Sequence, residues 1–215
     1  MSISREPALF DLPPSARAVP HRIVLITGPS GSGKTRLARR LGLPSVALDD
    51  FFFDEDRPGL PRRYGIIDWD SPDTWDAETA MTTLIQLACT GEADVPVYDI
   101  PTNRRTGVAH LTVGDSPIIL AEGIFASEIV AACRREGILA DAYCLRRPRV
   151  TTFCLRLMRD VGEKRKPLLV LLRRSVVHLH AEPAKVRHWV AMGCRPQTPA
   201  EVEHDIRALA GAVTE

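Results

Sequence analysis

The chain has 215 residues, 45% of them hydrophobic and 26% charged, a balance typical of globular proteins that excludes a mostly disordered chain, a collagen and a disulfide miniprotein. Lys and Arg number 28 against 27 Asp and Glu, so bulk charge gives no argument for a nucleic-acid or membrane partner. No apolar run approaches the roughly 18 residues that span a bilayer. The first residues lack the basic-then-apolar layout of a secretory signal. The five cysteines (Cys89, Cys133, Cys144, Cys154 and Cys194) are odd in number and show no CxxC pair. They read as small apolar residues of a reducing compartment, the cytoplasm, rather than as a zinc site.

In chain order, residues 1–20 hold four prolines and no period, and read as a flexible arm before a single domain over 21–215. Arg22–Thr27 is a short β-branched apolar run, a buried parallel strand. Residues 33–42 follow as a helix stopped by Gly42 and Pro44, and Ser45–Leu48 as a second strand ending in Asp49-Asp50. Residues 54–75 read as a long loop, of a length that is functional or mobile. Asp76–Thr90 is a helix stopped by Gly91. Asp94–Tyr98 is a strand that Pro96 places at an edge, and 106–113 alternates like a hairpin arm. Pro117–Ala121 and Ala142–Leu145 are buried strands, with a helix at 127–136 between them. Pro148 opens a helix to about Gly162, 167–181 is apolar and helical, and 182–198 has no clear pattern. Thr198 and Pro199 start a last helix over 199–212. Strands alternating with helices predict an α/β three-layer sandwich with a mainly parallel sheet and a small hairpin.

Charge is uneven along the chain. Residues 49–78 carry ten acidic and three basic side chains, and 146–174 ten basic and two acidic. These read either as two solvated faces or as a metal-binding and a polyanion-binding stretch.

Gly28-Pro-Ser30-Gly31-Ser32-Gly33-Lys34-Thr35 matches GxxxxGK[ST] between a predicted strand and a predicted helix, the setting this phosphate-binding loop requires. Glycines let backbone N–H groups turn toward a phosphate, and the helix N-terminus adds its dipole. Lys34 would reach the terminal phosphates of a nucleotide, Thr35 would ligate Mg²⁺, and Arg36 follows on the first helical turn. The motif predicts a P-loop NTPase fold. The chain has no NKxD signature of a G protein and no room for a motor core with accessory domains. A small-molecule kinase needs a base, a second carboxylate near the metal and a basic lid. Asp49 or Asp50 at the carboxyl edge of the sheet fits the first, and Glu122 after the 117–121 strand the second. Arg156 and Arg159, three apart on one helix face, fit the third with Lys164 and Lys166, in a basic helical lid over about 156–175.

Together the segments resemble the uridine kinase and phosphoribulokinase family of P-loop kinases, and uridine kinases in particular. The resemblance covers about 22–166 and rests on GPSGSGKT at 28–35, LDDFFF at 48–53, DWDSPDTWD at 68–76, VPVYDIPTNRR at 95–105, AEGIF at 121–125 and RLMRD at 156–160. It implies an ATP- and Mg²⁺-dependent kinase of pyrimidine salvage acting on the 5′-hydroxyl of uridine or cytidine. Asp49 would be the catalytic carboxylate, also near the metal. Asp70 would hold the ribose hydroxyls and Trp69 flank the base. Tyr98, Asn103 and Arg105 would line the nucleoside pocket. Arg156, Arg159 and Lys166 would close on ribose and phosphate. Thr35 and Glu122 would form the metal-linked pair. Two positions depart from the family pattern: Asn103 stands where a histidine usually contacts the pyrimidine, and Asp70-Ser71-Pro72 replaces DHP. They imply a weaker or altered base selectivity. The other readings kept open are a kinase of the same fold for another small alcohol, and a nucleotide-binding regulatory protein without catalysis. The partner expected is a small molecule, with no nucleic acid or membrane and the homo-oligomeric state open. His178 and His180 read as packing or surface residues rather than a metal pair, and Trp189 as a packing residue or an adenine-stacking one.

Overall fold

The computed structural model describes residues 18–29, 31–63, 65–146 and 183–212. Strand β1 (Arg22–Thr27) has five of its six residues buried, as its apolar run requires. Helix α1 (Lys34–Leu41) starts at Gly33 and ends at Gly42, whose N–H returns to the Ala38 carbonyl. Strand β2 (Ser45–Ala47) is followed by a 3₁₀ turn, Leu48–Phe51. The expected strand over Ser45–Leu48 is therefore one residue shorter. Ala47 stands opposite Glu122, the last residue of its neighbour, so the ladder offers no further partner. The Leu48 carbonyl instead accepts the Trp75 indole N–H at 2.7 Å.

Two short strands, β3 (Arg62–Arg63) and β4 (Ile66–Ile67), pair antiparallel within the expected loop. Helix α2 (Ala77–Thr90) is capped by Asp76, which accepts the Thr79 N–H, and is stopped by Gly91 in the left-handed region. Strands β5 (Glu92–Asp99) and β6 (Arg104–Thr112) form the hairpin, a two-stranded sheet of their own. One side of β5 faces no strand there, which suits the missing amide of Pro96. Strand β7 (Ile118–Glu122) is wholly buried. A 3₁₀ turn (Ala126–Ile129) leads into helix α3 (Val130–Arg135), and strand β8 (Leu139–Leu145) follows. Helix α4 (183–191), strand β9 (Arg195–Gln197) and helix α5 (Pro199–Ala212) complete the described chain.

The main sheet is five-stranded and parallel, in the order β2-β7-β1-β8-β9. Side chains alternate between its faces. Ile23, Leu25, Ile119, Ala121, Ala142 and Cys144 pack with α2, α3 and Trp189. Val24, Ile26, Leu120, Tyr143 and Leu145 pack with Leu37 of α1 and Val202 and Ile206 of α5. Each such aliphatic side chain contributes about 1.5–3 kcal/mol by leaving water. This is the three-layer α/β sandwich expected. Trp189 is 5% exposed, so it is a packing residue and the adenine-stacking alternative is corrected. No helix among the described residues is long and apolar enough to cross a membrane. The expected helices over 148–162 and 167–181, the basic lid, and His178 and His180 lie outside the described residues.

Candidate active site

The glycine-rich loop joins β1 to α1 at the carboxyl edge of the sheet. Gly28 has φ 151°, and a Cβ there would meet the Ser32 hydroxyl at 2.9 Å and Leu145 at 3.2 Å. No other residue fits this first position without displacing the neighbouring strand. Gly33 starts α1 at φ 95°, and the Ser32 N–H donates to the Pro29 carbonyl at 3.0 Å. Lys34 is buried and bends back into the loop: its Nζ donates to the carbonyls of Gly28 (3.0 Å) and Pro29 (3.5 Å). Arg36 lies on the exposed side of α1. Ser30 lies outside the described residues.

Glu122 ends β7 opposite both Ile26 and Ala47, so it lies between β1 and β2 at the carboxyl edge of the sheet. The Thr35 hydroxyl donates to Glu122 Oε1 at 2.6 Å. Burial pushes the Glu122 carboxyl up, with Asp49 adding to the rise, while the Thr35 hydroxyl and the Lys34 ammonium pull it down. Next along the chain, Gly123 makes room for the 3₁₀ turn. A Cβ there would lie 2.7 Å from the Leu48 Cβ and 2.9 Å from Asp49 Oδ1. Asp49 uses that space to accept the Ile124 N–H at 3.0 Å.

Asp50 faces the other way. Its carboxyl is raised by burial and by Asp49 and Glu122, and held down by the Tyr98 backbone N–H. It lines a cleft of about 260 Å³ with Thr35, Arg39, His110 and Glu122. The two aspartates are thus separated by their partners: Asp49 is bound to the turn after β7, Asp50 to the hairpin. Among the described residues no group of three or more His, Cys, Asp or Glu is placed to hold a metal by itself. The hard oxygens of Thr35 and Glu122, side by side below a phosphate cradle, fit Mg²⁺, which is commonly held by one or two protein oxygens plus phosphate and water.

Beside Asp49 the rings converge on Phe52. Its centroid lies 5.6 Å from Trp69, 5.9 Å from Tyr98 and 5.8 Å from Phe125. The Tyr98 hydroxyl donates to the Phe53 carbonyl at 3.3 Å, and burial, then Asp54 and Glu55, push its pKa up to about 12. Trp69 and Tyr98, both expected in an acceptor pocket, are therefore joined through Phe52. Phe125 was not singled out from the sequence; its signal was its place in AEGIF, three residues after Glu122. Asp70 is half exposed and accepts from Lys185 of α4 at 3.0 Å. Asn103 sits in the hairpin turn at φ 49°, its amide donating to Glu55 Oε2 at 3.2 Å. Neither Lys185 nor Glu55 was legible, since one falls in a stretch without pattern and the other in a loop. Arg105 bonds to Asp54, to the Phe51 and Phe52 carbonyls and to Asp76. Arg156, Arg159, Lys164 and Lys166 lie outside the described residues.

The strand order and the loop into α1 define an α/β protein of the P-loop kinase fold. A solved candidate fructose transport system kinase from Silicibacter sp. TM1040 has that fold, with a TM-score of 0.58 and 20% identity over 86% of this chain and 90% of that one. In sequence the chain is similar to a uridine kinase of Schizosaccharomyces pombe, 35% identical over 113 residues, 49% of this chain and 25% of that protein. A uridine kinase of Chlamydia pneumoniae is 29% identical over 112 residues, 49% of this chain and 50% of that protein. The inorganic pyrophosphatase TTM2 of Arabidopsis thaliana is also similar, 34% identical over 110 residues, 48% of this chain and 15% of that protein. The chain thus matches these curated relatives over half their length or less. No family model matches it. Over about half its length this chain resembles uridine kinases, and its fold is that of the P-loop kinases.

Proposed function

We propose that this protein is an ATP- and Mg²⁺-dependent kinase that phosphorylates a small-molecule hydroxyl, with the 5′-hydroxyl of uridine or cytidine as acceptor. The observation that carries the reading is the contact of Thr35 with Glu122 at 2.6 Å beneath the glycine-rich loop, with Asp49 anchored beside it at Ile124. When bound, ATP with Mg²⁺ supplies the transferable phosphoryl group and neutralises its charge. The loop N–H groups and Lys34 would hold the phosphates, and Thr35 and Glu122 the cation. Asp49 would orient the acceptor hydroxyl and take its proton. Phe52, Trp69 and Tyr98 would wall the acceptor, excluding water from the transfer. Catalysis is then mostly positioning and charge neutralisation. Pyrimidine salvage in the cytoplasm belongs to the same reading.

A second reading, a kinase for another small alcohol, is favoured by the partners of Asp70 and Asn103. Both expected nucleoside contacts are already paired, with Lys185 and Glu55. The experiment is a panel of nucleosides, sugars and vitamin precursors incubated with ATP and Mg²⁺, with product mass as readout. Phosphorylated uridine or cytidine supports the first reading, and another phosphorylated alcohol the second. No acceptor-dependent ATP turnover at all overturns both in favour of a non-catalytic nucleotide-binding protein.

A further inference from the structure

Arg105 ties together three segments that carry the candidate site. It stands opposite Tyr98 in the hairpin register. Its backbone N–H donates to Asp54 Oδ1 at 2.7 Å. Its Nε donates to the Phe52 carbonyl at 3.1 Å, and its Nη2 to the Phe51 carbonyl at 3.2 Å and to Asp76 Oδ2 at 3.1 Å. Asp76 in turn caps α2 through the Thr79 N–H and hydroxyl, and its own N–H donates to the same Phe51 carbonyl at 2.9 Å. The Arg105 side chain is 31% exposed and that of Asp76 16%, so the pair is partly desolvated.

The three segments are the hairpin with Tyr98, the 48–53 segment with Asp49, Asp50 and Phe52, and the start of α2 after Trp75. A planar guanidinium reaches two successive carbonyls and a carboxylate together, which an ammonium does not. The resemblance implied that Arg105 binds substrate. The contacts it makes are with the chain that presents the candidate base.

We propose that Arg105 is a positioning residue, which fixes Asp49 and Phe52 against the hairpin wall of the acceptor site without touching the acceptor. This rests on the kinase reading. A misplacement of about 1 Å in such a site costs on the order of 100-fold in rate.

The test uses the full chain with Arg105→Gln, Arg105→Lys and Asp76→Asn. The readouts are kcat, the acceptor KM, ATP binding and amide hydrogen exchange of residues 49–53. Arg105→Gln should lower kcat by about 100-fold, keep the acceptor KM within about threefold and leave ATP binding unchanged. Asp76→Asn should follow the same pattern more weakly, and the double variant should fall no further than Arg105→Gln alone. Arg105→Lys, which can keep the ion pair with Asp76 but not both carbonyl contacts, should recover part of the thermal stability that Arg105→Gln loses but not kcat. Exchange at 49–53 should quicken in Arg105→Gln while the glycine-rich loop is unchanged. A raised acceptor KM with kcat held, and a silent Asp76→Asn, would make Arg105 a substrate contact and overturn the proposal. If Arg105→Gln does not fold, Arg105→Lys and Asp76→Asn decide by the same kcat criterion. If the wild type turns over no acceptor, the kinase reading fails. Exchange then still decides: unchanged protection at 49–53 overturns the positioning role of Arg105, and quickened exchange supports it.

Discussion

Lys34 donates to the carbonyls of Gly28 and Pro29, so the ammonium is held inside the loop whose phosphates it would serve. A phosphate entering the loop exchanges those neutral acceptors for charged ones, which are stronger. Lys34→Ala should therefore keep the fold and lose about 100-fold or more in kcat at saturating ATP. Wild-type rates in that variant would remove the phosphate-loop assignment. The two aspartates have different partners. The Asp49 carboxylate accepts the Ile124 N–H in the turn after β7, two residues past Glu122, while Asp50 is drawn to the Tyr98 N–H. Asp49→Asn should lower kcat by about 100- to 10,000-fold with ATP affinity nearly unchanged. Asp50→Asn should cost far less, because an amide oxygen still accepts from Tyr98. The reverse ranking would assign the base to Asp50.

At the scale of elements, the start of α2 carries a pH dependence. Burial pushes the Asp76 carboxyl up. The Thr79 N–H, the Thr79 hydroxyl and Arg105 together pull it further down, so it ends below its ordinary value. A carboxyl lowered by folding contributes stability above its unfolded pKa of about 3.9, and that contribution is lost as pH falls through the lower folded value. Asp76→Asn should lower Tm most at neutral pH, with the gap to wild type closing as pH falls through that lower folded value. A gap that stays constant from pH 7 to pH 2 would mean that charge at Asp76 does not matter. The regular elements were legible because their signals are local. Arg22–Thr27 and 117–121 are unbroken apolar runs, and Gly91 stops α2 where its pattern ends. Strand β9 was not legible. It is three residues long with Pro196 at its centre, and it exists because Tyr143, Cys144 and Leu145 give it a ladder. The start of α5 was legible at Thr198: its hydroxyl accepts the Glu201 N–H while the Glu201 carboxylate accepts the Thr198 N–H, a reciprocal cap.

At the scale of the whole molecule, the acidic stretch at 49–78 read from sequence as one feature, and the fold divides it. Asp56 pairs with Arg104, Asp70 with Lys185 and Asp76 with Arg105, partners that come from the hairpin and from α4. Its first two members face Glu122: Asp49 raises the Glu122 carboxyl, and Glu122 raises that of Asp50. Sequence locates the charges, but only the long-range packing of hairpin and α4 decides which of them stay available for chemistry. Asp70 is the member whose assignment is most open to test. Its bridge to Lys185 joins side chains 49% and 42% exposed, and a bridge so exposed is worth little. A ribose diol can therefore replace the ammonium at small cost. A site that accepts hydrogen bonds from a hydroxyl penalises the analogue without it, because its own group is left unpaired. Removing the 2′-hydroxyl from uridine should then cost about 1–3 kcal/mol in kcat/KM, roughly 5- to 150-fold. Asp70→Ala should erase most of that ratio by slowing the ribonucleoside, whereas Lys185→Ala should preserve it. Asn103, turned toward Glu55, should leave uridine, cytidine and adenosine less sharply separated. The measurement is kcat/KM for these three nucleosides and 2′-deoxyuridine in wild type and both variants. Equal rates for uridine and 2′-deoxyuridine in the wild type would remove Asp70 from the acceptor site, and no reaction with any of the four would favour another small alcohol as the substrate.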